Sequence, residues 1–163
     1  MQRRTQPLKK MILLEDIDFK TVLITTKYLS GFIKKYDATA RKFNQMVKDM
    51  GAKRVQLDPI STRIINDQII LIEKAFIDHA GVPRRPWQKN VVFGTNLESA
   101  YSGWIYPGVH EALFGFEEAD DKEKRLDEVV QQLAVISSKV NSASIVLEDI
   151  RFPGTQKPIE KYM

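Results

Sequence analysis

Two long stretches combine a three-four apolar rhythm with a complete lack of proline, and that combination commits most of the chain to helices. No proline occurs from Asp16 to Met50. Within that stretch Val22, Thr26, Leu29, Ile33, Tyr36, Ala40, Phe43, Val47 and Met50 alternate four-three, a heptad seam held over four repeats. Lys34, Lys35, Asp37, Arg41, Lys42 and Lys48 mostly avoid the seam. An unbroken helix here would be roughly 50 Å long at ~1.5 Å per residue, with Gly31 the place where a bend or break is expected. The second seam runs through Leu126, Val129, Leu133, Ile136, Val140, Ala143, Leu147 and Ile150. Beside it, Ser137, Ser138, Ser142, Ala143 and Ser144 make the helix thin and permit close approach of a neighbour. A free-standing coiled coil would need only one seam, whereas several seams in one chain favour a bundle.

Between these stretches the sequence is punctuated more sharply. Gly51 is expected to cap the first helix, with GAKRVQL as the connection. Asp58-Pro59 is a strong start signal, because the carboxylate accepts the first free amides and proline is preset for the first turn. The helix that follows is predicted from Pro59 to about His79, burying Ile64, Ile65, Ile69, Ile72 and Phe76. Arg63 and Asp67, four apart, can pair on its surface. Gly81, Pro83 and Pro86 end it, and Asn90 to Gly94 suits an extended segment. Tyr106-Pro107-Gly108 restarts a helix, predicted over Gly108 to Phe114. The connection from Ala80 to Tyr106 is too long for an idle bundle loop, which usually takes about two to eight residues. It must either pack with its own side chains, for which Trp87, Phe93, Tyr101, Trp104 and Tyr106 are available, or serve a site.

These signals predict an all-α fold: an antiparallel four-helix bundle with a long structured loop between the second and third helices. Residues 1–15 are expected to be a disordered or adventitious lead, 16–150 the bundle, and 151–163 a tail. At 163 residues, 43% hydrophobic and 28% charged, the chain has ordinary globular composition and enough length for a core. Much of the +4 net charge sits on Arg3, Arg4, Lys9 and Lys10. The remainder is nearly balanced, which is a solvated surface rather than a nucleic-acid footprint. No apolar run approaches a membrane span. Zero cysteines exclude disulfides and thiolate metal sites, and neither that nor the lack of an Asn-x-Ser/Thr sequon fixes a compartment.

No catalytic constellation stands out. His79 and His110 lie on different elements without the close spacing of a zinc site, so a helix-end role for the first and a surface or interface role for the second are expected. No serine sits in a Gly-x-Ser-x-Gly elbow, and Gly103 and Gly108 do not form a phosphate loop. Glu117, Glu118, Asp120 and Asp121 precede a helix whose dipole they complement. No cofactor or metal is expected.

A resemblance joins several of these features. NDQ, EKAFID, GVPRRP, the VVF run, AYSG and YPGVHEALF, in that order between Ile64 and Phe114, are similar to the C-terminal dimerisation domain of the glutamate carboxypeptidase II and transferrin-receptor family. The similarity extends weakly upstream through Ala38 to Phe43 and downstream over the last long helix. It implies a helical domain that pairs two subunits of a membrane-anchored protein of the secretory, vacuolar or cell-surface system. In that family the zinc ligands and catalytic glutamate belong to a separate peptidase domain, and the helical domain lends one loop to its substrate pocket. In the glutamate carboxypeptidases the loop carries a Lys-Tyr pair that grips a terminal glutamate. The tyrosine matches Tyr101, but Ala100 stands at the lysine position, and alanine cannot supply the charge-assisted bond.

The resemblance implies a homodimer and a peptidase-like domain as partners, with no nucleic acid and no direct membrane contact, and a chain that is not catalytic alone. Two other functions stay open: the pocket-contributing part of a di-zinc metallopeptidase, and a stand-alone helical adaptor acting through its basic first ten residues. Exposed Trp87 and Trp104 would be a further source of association.

Overall fold

The computed structural model describes residues 19–52, 58–96 and 102–148. They are mostly helical, so the expected all-α class holds: α1 (Lys20–Ala52), α2 (Pro59–Ala75), α3 (Pro107–Leu113) and α4 (Lys122–Glu148), with a small hairpin of β1 (Phe93–Thr95) and β2 (Gly103–Ile105). The expected lead and tail fall outside the described residues.

Helix α4 is the axis of the fold, and α1, α2 and α3 all pack on it. Its predicted seam is the observed one as far as Leu147, since Leu126, Val129, Leu133, Ile136, Val140, Ala143 and Leu147 are all buried, and Ile150 lies outside the described residues. Full burial of aliphatic side chains such as Ile136 and Val140 contributes about 1.5–3 kcal/mol each. Ser137 and Ser144 are buried too, their hydroxyls donating to the Leu133 and Val140 carbonyls. Small, internally satisfied side chains of this kind let a neighbour approach closely.

Three clusters fix how the helices run. Phe19 and Val22 pack with Leu126 and Phe116 at one end, and Leu29 packs with Val129, Leu133, Ile136 and Val140 in the middle. Phe43 meets Leu147 and Ile65 at the other end. Helix α1 therefore runs in the same direction as α4. Helix α2 runs against it, with Ile65 beside Leu147 and Asp78, just past its end, beside Lys139. Helix α3 also runs against α4: Leu113 lies by Leu126, while Gly108 lies by Gln132. Helices α2 and α3 thus cover successive lengths of α4.

The start of α2 follows its sequence. Asp58 accepts hydrogen bonds from the Ile60 and Ser61 amides at 2.9 and 3.0 Å, and from the Ser61 hydroxyl. Those bonds, the hydroxyl first, hold the Asp58 carboxyl below its ordinary value. The helix stops at Ala75, capped by Phe76, four residues before the expected His79. The short helix begins one residue early, at Pro107. Gly51 lies inside α1 rather than capping it, and α1 continues through Gly31, whose missing side chain would have met open space.

The face of α1 differs from the expected seam at three positions, where Thr25, Phe32 and Met46 turn inward and Thr26, Ile33 and Val47 are exposed, while the expected Ala40 is half-buried beside the buried Thr39. Both members of each pair are one residue, or ~100°, apart, and α4 covers the first. On α2 the inward residues are Ser61, Ile65, Gln68 and Ile72, while Ile69 is half exposed.

Candidate functional site

The long connection between α2 and α3 packs on itself and is pinned to both helices. Phe76 accepts the Val91 amide and Lys89 accepts the Asp78 amide, both through their carbonyls, which zips the connection to the end of α2. Gly81 has φ +73°, and a Cβ there would lie 2.3 Å from the Pro86 carbonyl oxygen, so only glycine fits. Tight turns follow over Pro83 and Pro86, closed by the Arg85 amide on Val82 and the Gln88 amide on Arg85. Val82 is buried beneath them.

These turns place two consecutive arginines against α3. Arg85 is buried, and Glu111 on α3 is completely buried. The Arg85 Nε donates to Glu111 Oε1 at 2.6 Å, and its Nη2 lies 2.5 Å from the same oxygen. Its Nη1 donates to the carbonyl and hydroxyl of Thr95, each at 2.9 Å, which ties β1 to the same guanidinium. Arg84 donates from Nη1 to the Glu111 carbonyl at 2.5 Å and from Nη2 to Glu128 of α4 at 3.0 Å. Arg125 completes the chain, bonding Glu128 and the Phe114 carbonyl. One charged network therefore joins the proline turns, β1, α3 and α4. An arginine fork suits that role because its five donors have fixed directions.

The hairpin stands on this platform. Phe93 pairs with Ile105, Gly94 with Trp104, and Thr95 with Gly103. Asn90 caps its entry by accepting from the Val92 and Phe93 amides. A Cβ on Gly94 would come within 2.9 Å of Pro107, so the strand lies directly on the start of α3. Trp104 stacks on His110 with centroids 4.6 Å apart. Burial under that contact lowers the His110 pKa from its ordinary value. Trp104 is therefore half-buried and engaged rather than exposed as expected, whereas Trp87 is 73% exposed. Phe93 and Ile105, directly opposed, are 64% and 57% exposed.

Tyr101 and Ala100 lie in the connection between β1 and β2, outside the described residues. His79 and His110 stay on separate elements: the His79 carbonyl accepts from Lys89, and His110 belongs to the tryptophan stack. Among the described residues no group of three or more His, Cys, Asp or Glu side chains could hold a metal ion. No helix among them is long and apolar enough to cross a membrane. Of the acidic cluster before α4, Asp121 caps the helix by accepting the Lys124 amide at 2.9 Å. The Arg85–Glu111 pair was missed from the sequence. Two charges 26 residues apart carry no local signal, although an arginine pair between two prolines, facing an acid on an apolar helix, was visible.

The chemistry of this assembly is architectural: its opposite charges pair with one another and fix a short hairpin on a helical base. Comparison with known proteins agrees with that reading. The family model of the transferrin receptor-like dimerisation domain matches residues 24–148. That match takes in α1 from Ile24 onward and all of α2, α3, α4 and the hairpin. The chain belongs to this family. It is 26% identical over 150 residues to a probable glutamate carboxypeptidase, LAMP1, of Arabidopsis thaliana, covering 91% of this chain and 20% of that protein. It is 25% identical over 118 residues to the aminopeptidase NAALADL1 of Rattus norvegicus, covering 72% of this chain and 15% of that protein. Over 59 residues it is 36% identical to an inactive zinc metalloprotease of Schizosaccharomyces pombe, covering 36% of this chain and 7% of that protein. The chain thus spans about a fifth or less of the length of these relatives.

Proposed function

We propose that this domain pairs two copies of the protein that carries it and contributes no catalytic group of its own. The observation that carries this is the outward face of the helices. Leu23, Ile24 and Tyr28 on α1 and Ile60, Ile70 and Leu71 on α2 are 47–69% exposed, far from the core that α4 organises. Aliphatic surface in such quantity on a chain of this size is the mark of an interface. The relatives carry the printed names carboxypeptidase, aminopeptidase and inactive metalloprotease. Those printed names differ, while each shares part or most of this chain, which suits a role in assembly rather than chemistry. The helices act as a mixed bundle, α1 parallel to α4 and α2 and α3 against it, whose inner faces make the fold and whose outer faces make the contact. Fusing the chain to a monomeric carrier tests this. The fusion should have twice the carrier-fusion mass by light scattering, and a fusion that stays monomeric at high concentration would refute the proposal.

A second reading concerns the hairpin. Its strands are fixed on α3 through Gly94, Thr95 and Trp104, and its outer residues Phe93 and Ile105 are uncovered. It is a rigid arm suited to docking on a neighbouring peptidase-like domain, and Tyr101 belongs to the segment joining its strands. With Ala100 in place of the lysine, that arm would contact a substrate through the tyrosine alone and would not select a terminal glutamate. Restoring the pair by Ala100→Lys in the longer protein should raise preference for carboxyl-terminal glutamate. Unchanged preference would contradict a pocket role.

A further inference from the structure

We propose that the outer stripe of α2 is the surface through which two copies of this chain pair, with the two α2 helices lying antiparallel across a two-fold axis. This rests on the dimerisation reading above and adds where the contact lies and what sets its register. At 3.6 residues per turn, Ile60, Arg63, Asp67 and Ile70 fall within roughly 80° of one another. The face that packs on α4, through Ser61, Ile65, Gln68 and Ile72, is turned away from them. Ile60 is 66% exposed and Ile70 50%, and the Arg63 and Asp67 side chains are 83% and 58% exposed, 3.6 Å apart.

The order along this stripe is apolar, cation, anion, apolar, and it is symmetric about Ile65. A two-fold contact requires that if one residue meets a second on the partner, the second meets the first. Turning a copy about that point sets Ile60 against the partner's Ile70 and Arg63 against the partner's Asp67, and each contact then occurs twice. Parallel helices would instead set Arg63 against Arg63 and Asp67 against Asp67, so the charges select the antiparallel register. The other large apolar face lacks this property. On α1 the groove of Ile24, Tyr28, Gly31 and Phe32 carries only cations, Lys27 and Lys35, the latter already paired with Glu148 at 3.4 Å. A two-fold contact there would bring lysines together. Because α2 has 17 residues, or ~25 Å of length, it provides less than the ~800 Å² per partner of a standard interface. Pairing of the isolated chain is accordingly concentration-dependent.

The test uses the full chain and two single variants, Arg63→Asp and Asp67→Arg, with circular dichroism to confirm that both keep their helices. Each variant places like charges at both symmetric contacts and should weaken self-association at least about tenfold. Mixed in equal amounts, the acidic and basic variants should recover pairing as a heterodimer, and the double variant carrying both changes should recover the homodimer. The pair within one helix cannot produce recovery on mixing. If the parent chain dimerises and both variants dimerise as well as it does, the α2 assignment is wrong and dimerisation stands. Single variants that lose pairing without recovering it on mixing also overturn the assignment. A parent chain that never dimerises overturns the dimerisation reading and this inference with it.

Discussion

Glu111→Gln tests the buried charge network most sharply. Glu111 is fully buried and its partner Arg85 nearly so. Removing one member of such a pair leaves an uncompensated charge out of water and costs about 3–5 kcal/mol. For a domain of this size, at ~2–4 °C per kcal/mol, the melting temperature should fall by roughly 6–20 °C. Arg85→Met strands the buried Glu111 carboxylate and should cost a similar amount. The double change Arg85→Met with Glu111→Leu leaves no lone charge and should recover part of the loss, short of full recovery because Arg85 also serves Thr95. The assay is thermal unfolding followed by circular dichroism. A Glu111→Gln variant melting within ~2–4 °C of the parent, about 1 kcal/mol, would refute the claim that this pair holds the connection to α3.

Three further outcomes follow from local geometry. Gly81→Ala forces a left-handed alanine, at about 1–2 kcal/mol, into the Pro86 backbone, whereas the Cβ of Gly108→Ala meets chiefly the movable Gln132 side chain. Urea unfolding should therefore show a large loss for the first and a small change for the second. Gln68 is buried, donates to the Val146 carbonyl at 3.2 Å and has an unpartnered Oε1. Gln68→Met should be neutral or stabilising, by up to about 1 kcal/mol, and a loss well beyond that in the same unfolding series would contradict the assignment. His110 is held below its ordinary 6.5 by burial. Its contribution to stability is complete above that pH and is lost as pH falls from there through the folded value. His110→Gln should flatten the fall in melting temperature below about pH 6.5, and an unchanged fall would place the cause elsewhere.

Where sequence and structure agree, one local rule was strong enough alone. The α4 seam is narrow, because its flanks are serines, lysines and glutamines, so its period has one solution. Asp58-Pro59 and Pro107 are local start signals, and the Arg63–Asp67 pair needs only helical spacing. Helix α1 was harder because its apolar residues occupy two faces. Phe32 beside Ile33 and Met46 beside Val47 satisfy the rhythm equally, and only contact with α4 decides between them. Helix α2 has the same ambiguity: Ile69, Ile70 and Leu71 look like core, yet Ser61 and Gln68 are the buried neighbours. The extra apolar residues belong to an outer face, which a seam search assigns to the core by default. The β2 strand is three residues long and begins with glycine, too short for a period. The Arg85–Glu111 pair exists only once the turns at Gly81, Pro83 and Pro86 have folded the chain back on α3.

Self-association of this chain is the property on which its role as a dimerisation domain depends. Light scattering after size exclusion, over a concentration series of the unmodified chain, measures that directly. The mass should rise with concentration to a plateau at twice 18.8 kDa, with no species beyond the dimer. A mass that stays at 18.8 kDa up to high micromolar concentration would contradict the account.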